Sequence, residues 1–138
     1  MTPTQLCRYA ATGSRDPSTK VGAVVTNADG LIVGGGFNDF PPGIPDHWWE
    51  DRELKYRGVV HAEANAILEA GRFHCLGGTI YVSAHPCRDC AKLIVASGLK
   101  KVVCPSGPWR DDPAIIATVN DAAELLQLCG IEMEEIGE

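Results

Sequence analysis

Apolar positions recur at two spacings along this chain, and clusters of Gly, Pro, Asn and Asp mark where one gives way to the other. "TQLCRYAAT" (Thr4 to Thr12) reads as a helix ended by Gly13. "VGAVVT" (Val21 to Thr26) is apolar and β-branched, the turn "NADG" follows it, and "LIVGGGF" (Leu31 to Phe37) reads as a second strand. Two strands this close predict an antiparallel hairpin. Residues 38–58 are rich in Pro, Gly and charge and read as a long loop with one helical turn, a kind of segment that is often functional. Helical spacing returns in "HAEANAILEAG" (His61 to Gly71), where Ala62, Ala66 and Ala70 fall four apart. A strand "TIYVS" (Thr79 to Ser83), a helix "CRDCAKLIVASG" ended by Gly98, and a strand "KKVVC" (Lys100 to Cys104) follow. A helix from Pro113 to its stop at Gly130 and a closing strand "IEMEEI" complete the pattern.

The order α-β-β-α-β-α-β-α-β predicts an α/β fold, one sheet with helices on its faces. The first strand pair is antiparallel, and the strands joined by helices are parallel. No repeat, low-complexity tract or linker interrupts the chain, so residues 1–138 are read as a single domain.

Composition changes this picture little. The 138 residues are 45% hydrophobic and 22% charged, as in an ordinary soluble globular domain. No apolar run approaches a membrane span, and the first twenty residues lack the apolar core of a signal peptide, so the expectation is a cytoplasmic protein. The net charge of -6 argues against a polynucleotide partner, which needs an extended basic track, but leaves room for one small phosphate in a local basic pocket. The acidic tail "EMEEIGE" reads as solvated. There are six cysteines, yet nothing suggests export or a need for disulfide staples. Cys7, Cys104 and Cys129 read as small buried hydrophobes, and Cys75, beside His74, is left open.

The chemistry gathers at two helix starts. "HAE" places His61, Ala62 and Glu63 at one, and "PCRDC" places Cys87 and Cys90 at the other. One imidazole and two thiolates suit zinc, and three protein ligands leave a fourth position open for water, which is the catalytic arrangement. Cys87 and Cys90 are three apart, so their sulfurs share a helix face, and the free N–H groups of a helix start favour thiolates. Glu63 lies two residues past His61 and points in a different direction, beside the metal rather than at it. A CxxC pair alone is equally a redox pair, half of a structural zinc site or an accident. His74, Cys75 or His85 would be the fourth ligand of a structural site. The combination H-x-E…P-C-x-x-C is the signature of zinc deaminases. It predicts hydrolytic deamination: Glu63 takes a proton from a water that zinc acidifies to a pKa of about 7, and returns protons to the ring nitrogen and the leaving amine.

With "SRDPSTKVGAVV", "GGFNDFPPGIPD", "KYRGVVHAEANAI" and "PCRDCAKLIVASGLKKVV" added, the sequence from Ser14 to Val103 resembles the cytidine deaminase superfamily, and within it the deoxycytidylate (dCMP) deaminase family. That resemblance implies a three-layer α-β-α sandwich with a five-stranded mixed sheet, zinc dependence, and hydrolysis of dCMP to dUMP for thymidylate synthesis. It also implies a homo-oligomer, commonly a hexamer, controlled by dCTP and dTTP. By matching positions, it implies His61, Cys87 and Cys90 as zinc ligands and Glu63 as proton shuttle. It further implies Asn38 as a sugar contact, the Ala62 N–H as donor to the base carbonyl, and Arg15, Asp16 and Lys20 near an effector. The chain departs from the family where "GFND" puts Asp39 in place of a usual glycine, and where His85 stands before Pro-Cys.

His85 either touches the base edge, tuning which 5-substituent fits, or is held by a hydrogen bond outside the ligand set. For the 5′-phosphate, "WWEDRELKYR" offers Arg52, Lys55 and Arg57 with Tyr56 between them. Each cation is equally read as solvated or paired with Glu50, Asp51 or Glu53. Trp48 and Trp49 read as base-stacking or, better, as interface residues. The competing functions are a deaminase of 5-methyl- or 5-hydroxymethyl-dCMP or of the nucleoside, a nucleic-acid-editing deaminase, and a non-catalytic zinc-binding regulatory subunit. The acidic balance disfavours the editing enzyme, and the intact Glu63 disfavours the regulatory subunit.

Overall fold

The computed structural model describes residues 1–106 and 112–137. The chain runs α1 (Pro3–Ala11), β1 (Gly22–Thr26), β2 (Ile32–Phe37), a 3-10 turn (Asp46–Glu50), α2 (Arg52–Gly58), α3 (Ala62–Ala70), α4 (Arg72–Cys75), β3 (Thr79–Val82), α5 (Arg88–Ser97), β4 (Lys101–Pro105), α6 (Pro113–Leu128) and β5 (Glu132–Ile136). The five strands form one sheet in the order β2-β1-β3-β4-β5. β1 pairs antiparallel with both β2 and β3, while β3, β4 and β5 run parallel to one another. The expected hairpin and parallel half are both present.

Alternation along β1 sorts the helices into two layers. Gly22 lies against α1, where an added Cβ would meet the Cys7 carbonyl at 2.0 Å. Ala23 and Val25 face the other way, into a core with Ile80, Val82 and Val102 of the sheet, Ala62, Ala66 and Ala70 of α3, Ala91 and Ile94 of α5, and Ala122 and Leu126 of α6. The result is the expected three-layer sandwich, α1 on one face and α3, α5 and α6 on the other. The parallel helices rest on alanines because close approach, not bulk, sets the spacing.

That approach is what "GGG" in β2 provides. A Cβ at Gly34 would lie 2.7 Å from the Ala66 carbonyl, and one at Gly36 would lie 2.9 Å from the Ala66 nitrogen. Only hydrogen fits on that face, so α3 sits directly on β2. Gly36→Ala therefore lifts the helix that carries Glu63 and is expected to destabilise the fold by about 1–3 kcal/mol. A lower melting temperature checks this, and an unchanged one contradicts it.

Three expectations need correction. The segment 38–58 is not a loop with one turn: it holds the 3-10 turn and the two-turn helix α2, capped by the Asp51 carboxylate, which accepts from the N–H groups of Glu53 and Leu54. The short α4 follows Gly71 where no element was expected. Cys129 is exposed, because it ends α6 rather than facing the core. Cys7, Cys75 and Cys104 are buried as free thiols, and burial pushes Cys7 to about 11 and Cys104 to about 12.

Candidate active site

Two helix N-termini converge at one end of the sheet. His61 caps α3 in an extended conformation, and Cys87 caps α5 in the same way, with Cys90 in its first turn. His61 Nδ1 lies 3.4 Å from Cys87 Sγ and 3.4 Å from Cys90 Sγ. The three donor atoms all fall within 4.8 Å of one another, and they are the one group of this kind among the described residues. A tetrahedral zinc with bonds of about 2.0 Å to nitrogen and 2.3 Å to sulfur holds those atoms about 3.6 Å apart. The residues therefore fit zinc without rearrangement, and His61, Cys87 and Cys90 would hold it.

Without metal these side chains share protons among themselves. The Cys87 thiol is pulled down to about 4, by a hydrogen bond from Cys90 and then by His61, against its burial. His61 is raised to about 9 by its hydrogen bond to Cys87. The Cys90 thiol is pushed far up, by the neighbouring Cys87 sulfur and by burial. Zinc must take a neutral imidazole and two thiolates, so filling the site at neutral pH is expected to release the His61 and Cys90 protons. Zinc affinity accordingly falls as pH falls. Titrating metal-free protein with zinc in weakly buffered indicator dye reads the release, and zinc uptake without any proton release contradicts it.

Glu63 stands in the first turn of α3 at 4% exposure. Burial is the largest influence on its carboxyl and pushes its pKa up, while the nearby His61 opposes the rise. A pocket of about 540 Å³ opens over this cluster, lined by His61, Ala62, Glu63 and Cys87 at its floor and by Asp16, Asn38, Arg52, Lys55, Tyr56 and His85 among its walls. An ionisable group buried beside a three-ligand metal site, at the floor of a nucleoside-sized cavity, is the arrangement of a hydrolase that moves protons during attack by water.

The family model for the cytidine and deoxycytidylate deaminase zinc-binding region matches residues 2–106. The chain belongs to that family.

Among its relatives in this deaminase family is the deoxycytidylate deaminase of Mus musculus, 37% identical over 88% of this chain and 70% of the mouse protein. An uncharacterized deaminase from the luxG 3' region of Aliivibrio fischeri is 44% identical over 73% of this chain and 68% of its own length. A crystal structure of dCMP deaminase from the cyanophage S-TIM5, in apo form, matches with a TM-score of 0.76 at 26% identity, over 97% of this chain and 94% of that one.

The remaining residues singled out in this deaminase's sequence divide sharply. Asn38 lines the pocket, but its amide is largely engaged: Oδ1 accepts from the Val21 N–H at 2.9 Å, and Nδ2 donates to the Thr19 carbonyl at 2.8 Å and to Asp16 at 3.2 Å. Both amide hydrogens are spent, so toward a sugar Asn38 can only accept. Lys55 is buried and bound to Asp16 at 3.0 Å and Ser18 at 2.9 Å, not to the acids of its own helix. Arg52 lines the pocket with its guanidinium over Tyr56 and, among the described residues, no carboxylate partner. Arg57 is turned away: it sits over the Trp48 ring and does not line the pocket.

Arg15, Asp16 and Lys20 each have their own partners. Arg15 pairs with Asp39 and Asp46, Asp16 is in the pocket wall, and Lys20 donates to the Ser14 carbonyl. Asp39, the departure from the usual glycine, thus holds Arg15 and bridges to Val60. His85 reaches Glu135 on β5 through Nε2 at 3.1 Å, the hydrogen-bonded alternative, while its ring also lines the pocket. Trp49 stacks on Phe40 at 3.9 Å and Trp48 meets the same ring edge-on, and neither lines the pocket. His74 bonds the Ala70 carbonyl and Cys75 is in the core, so neither supplies a fourth ligand. Ser18 and Thr19, which line the same wall, were missed; "DPST" after a helix stop signals a tight turn, and nothing local says which pocket it serves.

Proposed function

We propose that this chain is a cytoplasmic, zinc-dependent dCMP deaminase that converts dCMP and water to dUMP and ammonia. The observation that carries the reading is the buried Glu63 standing over the His61–Cys87–Cys90 cluster at the floor of the pocket. The relatives called deoxycytidylate deaminase support the choice of substrate.

Bound zinc supplies Lewis acidity, which brings a water to a pKa of about 7. The chain's own residues do the rest. Glu63 accepts one water proton and delivers it to N3 of the cytosine ring as the water oxygen bonds to C4. It then takes the second proton from that C4 hydroxyl and passes it to the 4-amino group, which leaves as ammonia. C4 keeps the water oxygen as its carbonyl. Burial isolates Glu63 from bulk solvent, so its proton passes between water and base rather than leaking away. The Ala62 N–H, at the start of α3, donates to the base 2-carbonyl. Arg52, the pocket cation free of a carboxylate among the described residues, takes the 5′-phosphate.

Ammonia release from zinc-loaded protein tests the reading with dCMP, 5-methyl-dCMP, 5-hydroxymethyl-dCMP, dCTP, deoxycytidine and CMP. The highest kcat/KM is expected with dCMP, and no release from any of them overturns the enzyme. A 5-substituted dCMP is the second reading, favoured by one observation: His85 lines the pocket and its Nδ1 is buried without a partner among the described residues. Adding dCTP or dTTP to the assay tests effector control. A homo-oligomeric state, the hexamer first, is supported by the apolar exposure of Leu68 and Phe73 on α3 and α4, and light scattering tests it.

A further inference from the structure

We propose that the buried Asp16–Lys55 ion pair is the sugar-hydroxyl subsite of this pocket, the carboxylate accepting from and the ammonium donating to the nucleotide's 3′-hydroxyl. The proposal rests on the deaminase reading and names the contact by which the substrate's sugar is held.

A hydrogen-bond count along the pocket wall carries it. Asp16 Oδ1 is crowded: it accepts from the N–H groups of Ser18 at 2.9 Å and Thr19 at 3.1 Å, from the Ser18 hydroxyl at 3.1 Å, and from Lys55 Nζ at 3.0 Å. Oδ2 accepts from Asn38 Nδ2 at 3.2 Å, its single partner among the described residues. Oδ2 thus carries one donor against four on Oδ1, and is the oxygen with room for another. Lys55 Nζ gives two of its three hydrogens, to Asp16 and Ser18; beyond them it meets the Tyr56 ring at 5.7 Å, and among the described residues no oxygen takes the third hydrogen. Both residues are buried, at 3% and 9% exposure, yet both line the pocket.

One open acceptor place and one open donor on a buried ion pair match an alcohol, which gives one hydrogen and takes another. They do not match a phosphate. A phosphate oxygen has no hydrogen to offer Asp16, and the carboxylate both repels it and neutralises Lys55. The phosphate is therefore left to Arg52, and the hydroxyl goes to this pair. Asn38, with its donors spent, adds at most a second acceptor beside Asp16.

The test compares dCMP with its 3′-deoxy analogue, 2′,3′-dideoxycytidine 5′-monophosphate, on zinc-loaded wild type and Asp16→Asn. Wild type is expected to prefer dCMP by about 10²-fold or more in kcat/KM, because the analogue leaves buried polar groups unpaired. Asp16→Asn should lose at least about tenfold on dCMP, mostly in KM, and much less on the analogue. Equal losses on both substrates would mean that Asp16 only holds the fold together, and the proposal falls. So it does if the variant's loss tracks the phosphate instead, seen by comparing dCMP with deoxycytidine. If Asp16→Asn does not fold, wild type alone decides: equal turnover of dCMP and the 3′-deoxy analogue overturns the proposal. A wild-type protein silent on dCMP overturns the deaminase reading and this proposal with it, whereas one active on dCMP but indifferent to the hydroxyl overturns this proposal alone.

Discussion

Glu63→Gln keeps its zinc and loses turnover of dCMP by about 10²–10⁴-fold, the usual worth of a positioned general acid–base group. Glutamine has the same shape and fills the same buried position in the first turn of α3, so the core that α3 shares with α5 is undisturbed. It cannot accept the water proton or pass one to the ring. The ligands His61, Cys87 and Cys90 are untouched by the change, so metal content should equal that of the wild type. Ammonia release measured alongside zinc per chain checks both halves. Turnover within a few-fold of wild type removes Glu63 from its role, and loss of zinc moves Glu63 into the ligand set.

Cys90→Ala is expected to lose zinc and activity together. Cys90 is the buried member of the ligand set, in the first turn of α5, and its sulfur sits 3.4 Å from His61 Nδ1. Alanine leaves one sulfur and one nitrogen, too few to hold the ion against water. The variant should purify with background zinc and regain no activity when zinc is added. Its far-ultraviolet circular dichroism should stay near that of wild type, since Cys90 contributes a small side chain to a core carried by Ile94, Ala91 and the sheet. Retained zinc at one ion per chain would show that another residue ligates.

What the sequence made legible follows from distance along the chain. His61 with Glu63, and Cys87 with Cys90, are local pairs whose relative geometry a helix start fixes by itself. Their meeting across 26 residues was predictable because both motifs sit at the same end of strand-linked helices. Lys55 is different: its partner Asp16 is 39 positions away, while acids nearer in sequence stay unused. Local charge spacing pointed to those neighbours, and burial of Lys55 on the inner side of α2 decided otherwise. The helix α2 itself was obscured by the prolines and glycine that precede it, although Asp51 as N-cap, Glu53 in the first turn and Gly58 at the end are its signals. Arg57 and Arg52 look alike in "RELKYR", yet Arg57 lies over Trp48 while Arg52 lines the pocket. A contact with a ring outside the helix is not written in helical spacing.

The three glycines of β2 are identical letters with unequal freedom to drift. Gly34 and Gly36 press on α3, whereas a Cβ on Gly35 would meet only ordinary van der Waals contacts, at 3.5 Å from the Ala23 carbonyl and 3.9 Å from Val24. A lineage carrying this fold can change the middle letter at little cost and the outer two hardly at all. Surviving variants of the strand should therefore collect as G-x-G, a fingerprint imposed by a helix pressed against one face rather than by any bound ligand.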